Sequence, residues 1–280
     1  MTKDWRLDHA VPLNIIDRGS GTPIVVIPGV QGRWEWMLPA IDSLAQRCRV
    51  ITFSLADEPT SGGVFDERQG FWSYVNQVRE VLDTVGLTRA AICGVSYGGL
   101  IAAAFAARYP DRTTCLLLVS ALSPSWKPDA RLKFYLRAPR LLTPLFMVSA
   151  LRLYKEIAAA SPGTVPSVRA GTLHAWRALT HMFSPSRMAR RARLVESIDL
   201  RADLANVVAP TLIVTGEPGL DRVVPVATTL QYAQIWPHAL VTTLARTGHL
   251  GLTTRPMDFA RLVVPFAEDA DQTHIRRQVG

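Results

Sequence analysis

The sequence predicts an α/β fold: a mostly parallel sheet with helices on both faces and an inserted helical lid. Short β-branched apolar runs alternate with helical stretches along most of the 280 residues. The alternation stops between about 123 and 201, where the pattern is helical throughout. A third observation is Gly94-Val95-Ser96-Tyr97-Gly98, which joins a buried apolar run to an alanine-rich helical one. A serine flanked by glycines at a strand-to-helix junction is the pattern of a sharp turn that lifts the hydroxyl clear of the backbone.

The elements follow in order. Residues 13–17, before the turn at Arg18-Gly19-Ser20-Gly21-Thr22-Pro23, predict an antiparallel first strand. Apolar runs at 24–27, 49–53, 90–93, 114–119, 211–214 and 240–244 read as buried strands. Helices are predicted at 36–46, 71–85, 100–108, 226–235 and 257–267. Phe71, Tyr74, Val75, Val78, Val81, Leu82 and Val85 keep the three-to-four spacing of one apolar helix face. Within 123–201, a helical pattern over 131–160 is interrupted by Pro139 and Pro144, and another runs over 167–183. The expected division is therefore a core of 1–122 and 202–280 with a helical cap at 123–201. Residues 269–280 read as a frayed polar tail.

Composition bounds the class. A hydrophobic content of 48% suffices for one large domain, and no run approaches the 18 apolar residues of a membrane span. The N-terminus shows no apolar signal segment, and three widely spaced cysteines suggest inert thiols in a reducing compartment, so a cytoplasmic location is expected. The net charge of +8 is concentrated in one place: residues 126–193 hold 13 Lys and Arg against Asp129 and Glu156. That excess reads first as a solvated helical face. Attraction of anionic substrates is the next reading, and docking on acidic membranes the last. No nucleic-acid recognition motif, phosphate-binding loop or metal-ligand spacing is found, so neither nucleic acid nor a cofactor is expected.

A serine hydroxyl needs a base to take its proton, and the base needs a third group to orient it. Gly248-His249 follows the strand at 240–244, and Asp221 follows the strand at 211–214, which places both at the carboxyl edge of the sheet. In this order of serine, acid and histidine the chain resembles the α/β-hydrolase superfamily over roughly 13–267. The resemblance implies a catalytic triad of Ser96, Asp221 and His249. Asp221 could also simply cap the helix that follows it. The loop before it is longer than is usual in the family, so Glu217 is a rival acid. The site that some relatives use after the strand ending at Val119 offers no acid.

The resemblance also implies an oxyanion hole from the backbone N–H groups of Tyr97 and Val30, the latter in Pro28-Gly29-Val30-Gln31-Gly32. Relatives usually carry His-Gly where this chain has Pro28-Gly29, so the support that a histidine side chain would lend is missing. Trp34 and Trp36 read as core aromatics. Asp57-Glu58-Pro59-Thr60-Ser61-Gly62-Gly63 reads as a solvated loop. Trp126, Tyr135, Phe146, Tyr154 and Trp176 are candidates for an apolar substrate pocket in the lid.

The expected activity is hydrolysis of a small to medium acyl or aryl ester through an acyl-enzyme. Thioester, lactone and amide hydrolysis, perhydrolysis and acyl transfer use the same triad. The glycine-proline-glycine pattern expected after the first strand in C–C bond hydrolases is absent, which weighs against that option. A non-catalytic ligand-binding homologue is the alternative of a different class. The oligomeric state is not legible.

Overall fold

The computed structural model describes residues 13–144, 153–160 and 184–279. Seven strands form one sheet: β1 (Ile15–Arg18), β2 (Thr22–Ile27), β3 (Cys48–Phe53), β4 (Ala90–Val95), β5 (Thr113–Val119), β6 (Thr211–Thr215) and β7 (Leu240–Thr243). Their order is β1-β3-β2-β4-β5-β6-β7, with β1 antiparallel to β3 and every other pair parallel. All the predicted strands are present.

The period-two alternation of the strands divides the core. Val25, Ile27, Ile92, Leu116, Leu118 and Ile213 face one layer, with α2 (Phe71–Thr84) and α3 (Tyr97–Arg108). Ile24, Val26, Cys93, Cys115, Leu117 and Val214 face the other, with α1 (Leu38–Leu44) and the long C-terminal helix Pro256–Val279. Both faces are covered, which is why the parallel strands read as continuous apolar runs rather than as alternating ones. Cys48, Cys93 and Cys115 are buried free thiols, and burial pushes Cys93 up to about 12.

Between β5 and β6 the described residues form helices and no strand. These are α4 (Ala130–Arg137), α5 (Tyr154–Ala160), α6 (Pro185–Glu196) and a single turn at Arg201–Leu204. The Asp129 side chain accepts the Leu132 N–H to start α4, and Ser184 accepts the Arg187 N–H to start α6, with Pro185 in its first turn. The helix expected at 167–183 lies outside the described residues.

Three expectations are corrected. The polar tail is not frayed: its residues continue the C-terminal helix to Val279. The single helix expected at 226–235 is two short ones, Val226–Thr229 and Gln231–Ile235, with Leu230 as the turn residue between them. Asp57 and Glu58 do not lie in a solvated loop; both carboxylates are buried.

Among the described residues, no helix is long and apolar enough to cross a membrane.

Candidate active site

Register sets the site. Ile27 of β2 pairs with Gly94 of β4, and Val95 of β4 pairs with Val119 of β5, so the chains leave these strands side by side. Ser96 is the first residue past β4. It sits at φ 55° and ψ −116°, and its N–H donates to the Val119 carbonyl at 2.9 Å. A non-glycine residue with positive φ is strained, and here the ladder on one side and α3 on the other impose it. A Cβ on Gly98 would stand 2.5 Å from the carbonyl oxygens of Ile27 and Pro28, so only glycine lets the loop after β2 cross the start of α3. A Cβ on Gly29 would stand 3.4 Å from the Ser96 Cβ. The loop carrying Val30 is thereby laid against the turn carrying Ser96 and Tyr97.

His249 and Asp221 come together at the carboxyl ends of β6 and β7. The imidazole Nδ1 lies 3.5 Å from Asp221 Oδ2, longer than an ordinary hydrogen bond. Asp221 Oδ1 accepts the N–H groups of Val223 (3.0 Å) and Val224 (2.9 Å). One carboxylate oxygen thus braces the turn at Val223 and Val224 while the other faces the imidazole, and the helix that follows has Pro225 rather than Asp221 at its N-cap. Burial alone would raise the Asp221 carboxyl; His249 and the two amides outweigh it and hold the group below the usual carboxylate range. Glu217 is engaged elsewhere, accepting the Arg246 N–H at 2.7 Å and so tying the two loops together. Ser96 and His249 are both buried, at 7% and 9% exposure.

Two charged side chains from the helical segment reach this region. Arg191 of α6 is fully buried, at 0% exposure. Its Nε and Nη2 donate to Asp57, Nη2 also reaches Glu58 at 2.6 Å, and Nη1 donates to the Val30 carbonyl at 2.7 Å. The guanidinium occupies the space where a Cβ on Gly32 would lie. Burial would lower the Arg191 pKa, but Asp57 and Glu58 overcome that and raise it. Arg187 pairs with the buried Glu58, so part of the basic excess joins α6 to the core, while the pair of Arg190 with Glu67 is exposed. Glu156 of α5 is buried, and its Oε1 accepts the Leu250 N–H at 2.5 Å, one residue past His249.

The family model for the alpha/beta hydrolase fold matches residues 22–256. The chain belongs to the α/β-hydrolase family. It is 29% identical to a 2-hydroxymuconate semialdehyde hydrolase of Pseudomonas putida, over 93% of this chain and 92% of the relative. It is 25% identical to a putative carbamate hydrolase RutD of Azorhizobium caulinodans, over 91% and 94%. The enol-lactonase of Burkholderia xenovorans superposes with a TM-score of 0.73 at 20% identity, covering 91% of this chain and 95% of that one. At such identity the likeness speaks to fold alone.

The remaining predicted residues of this α/β hydrolase are placed as follows. Trp126 is partly buried, packed against both the main core and the small cluster of Leu136, Ala189 and Ala192. Tyr135 is buried on α4, with Arg131 over its ring at 5.9 Å. Tyr154 opens α5. Phe146 and Trp176 lie outside the described residues. Sequence reasoning missed Arg191 and Glu156. Arg191 was hidden among 13 basic residues of one segment, while Glu156 was one of only two acids there, a contrast that could have singled it out.

Proposed function

We propose that this α/β hydrolase cleaves carboxylic esters of small to medium, uncharged acyl or aryl type through an acyl-enzyme. Ser96 Oγ attacks the carbonyl carbon while His249 takes its proton. The oxyanion rests on the N–H groups of Val30 and Tyr97. His249 then protonates the leaving alcohol, and afterwards deprotonates the water that releases the acid. Asp221 orients the imidazole and draws closer as it becomes charged. The helical segment at 123–201 acts as the cap over this site, and Trp126 and Tyr135, with Phe146, Tyr154 and Trp176, are its candidate pocket residues.

The observation that carries the reading is the buried Asp221–His249 pair on the same sheet edge as a serine in a strained elbow, with the Gly29-Val30 loop laid against that serine. The preference for uncharged esters rests on Arg191. This buried cation beside the Val30 loop is already matched by Asp57, Glu58 and the Val30 carbonyl. A panel of p-nitrophenyl esters of increasing chain length, with fluorophosphonate labelling of Ser96, tests the proposal. Turnover and labelling that both vanish in Ser96→Ala support it. Folded wild-type protein that neither labels nor turns over any ester defeats it.

A second reading, C–C bond hydrolysis next to a carbonyl, is favoured by one finding. Two relatives aligned over more than nine-tenths of the chain are a 2-hydroxymuconate semialdehyde hydrolase and a 2-hydroxy-6-oxo-2,4-heptadienoate hydrolase. The missing glycine-proline-glycine pattern therefore weighs less than the sequence alone suggested. Loss of the absorbance of 2-hydroxy-6-oxo-2,4-heptadienoate on incubation, with inert esters, would favour it.

A further inference from the structure

Glu156 is a fully buried carboxylate from α5 that pairs with no Lys or Arg among the described residues. It lies against the turn that carries His249. Leu250 donates its N–H to Oε1 at 2.5 Å, and the Gly248 N–H also stabilises the charged form. The Leu250 N–H belongs to the peptide that directly follows His249. Hydrogen bonding alone would be served equally well by a neutral glutamine. A carboxylate in the same place adds a desolvation cost and a negative charge beside the imidazole.

We infer that Glu156 is a positioning residue for the proposed base: from the helical segment it holds the peptide N–H that directly follows His249, and its charge favours the imidazolium formed during proton transfer. The inference rests on reading His249 as that base. Two titratable groups face Glu156: His249, which favours its ionised form, and Asp221, which opposes it. Burial is the largest influence and pushes the carboxyl up to about 7. The helical segment and the triad are linked by one side chain, so withdrawing α5 would loosen the base.

The test compares wild type, Glu156→Gln and Glu156→Ala. Glutamine keeps an acceptor for the Leu250 N–H but removes the charge. The acid limb of its kcat/KM profile is expected to move down by about one pH unit, with KM unchanged. Alanine also loses the grip, and kcat is expected to fall about 10- to 100-fold. A structural role alone would leave the acid limb of Glu156→Gln where the wild type has it, and that result overturns the inference. A readout independent of turnover is the NMR signal of the His249 imidazole, assigned by its loss in His249→Gln. Its midpoint against pH is expected to be lower in Glu156→Gln than in wild type, and an unmoved midpoint overturns the inference. A moved midpoint in a protein that no fluorophosphonate labels keeps Glu156 as positioning residue and defeats the acyl-enzyme reading instead.

Discussion

Arg191 donates to the backbone carbonyl of Val30 at 2.7 Å, so a side chain from the helical segment between β5 and β6 holds the loop that follows β2. The sequence raised the question of what supports this loop when Pro28 replaces the histidine usual in relatives. A guanidinium reaching in from α6 supplies support from the other side. It is fixed there by Asp57 and Glu58, whose burial makes the contact rigid rather than a fluctuating surface pair.

Arg191→Met should therefore be costly in two ways. It leaves the buried Asp57 carboxylate without its cation, and Glu58 with Arg187 alone, a loss of about 3–5 kcal/mol. It also frees the Val30 carbonyl, so activity should fall even at temperatures where the variant stays folded. Urea unfolding and ester kinetics on the same preparation separate the two effects. A variant as stable as wild type would show that the cluster is not the strong coupling described above.

The acid of the triad is decided by a pair of substitutions. Asp221→Asn should lower kcat by about 10,000-fold, as loss of the orienting acid does in other triads. Glu217→Gln, which removes only a brace on the Arg246 N–H, should stay within about tenfold of wild type. Equal losses in the two would move the assignment.

Glycine 98 is a steric requirement. Gly98→Ala places a methyl 2.5 Å from two backbone carbonyls that cannot retreat without shifting the loop after β2. Destabilisation of about 1–3 kcal/mol is expected, together with loss of fluorophosphonate labelling. Thermal unfolding and labelling together check this; full labelling with unchanged stability would contradict it.

The pH dependence of stability should carry the signature of Glu156. Its carboxyl is raised in the folded state from 4.5 to about 7. A raised carboxyl contributes stability that is fully present below about pH 4.5 and is lost as pH rises toward 7, where ionisation must occur in a buried place. The loss is on the order of 3 kcal/mol. Glu156→Gln cannot ionise, so its melting temperature should gain on wild type between pH 5 and 8. A constant difference across that range would contradict the assignment. A residue that costs stability at neutral pH while touching the His249 turn is what a functional carboxylate looks like.

The strands of the sheet and the elbow at Ser96 were legible because they rest on local signals. A short β-branched apolar run, a run of alanines after a glycine pair and a Gly-His after a strand each need only neighbouring residues. Asp221 and His249, 28 residues apart, were placed together by the rule that strand ends share one edge, and they meet at 3.5 Å. The length of the C-terminal helix was not legible. Its last residues are polar and read as tail, yet they extend a helix whose earlier turns are anchored in the core through Phe259, Val263, Val264 and Ala267.

By itself, then, the sequence determined the parallel sheet and the elbow, which follow from apolar runs and glycine sterics, and it put Asp221 and His249 at strand ends, where the family resemblance makes them the proposed partners of Ser96. Only the tertiary structure decided which charges of the helical segment matter. Arg191 lies 161 residues from Val30 and Glu156 lies 94 from Leu250. Whether a charged side chain is solvated or buried against a partner depends on packing between elements distant in the chain, and no local pattern encodes that.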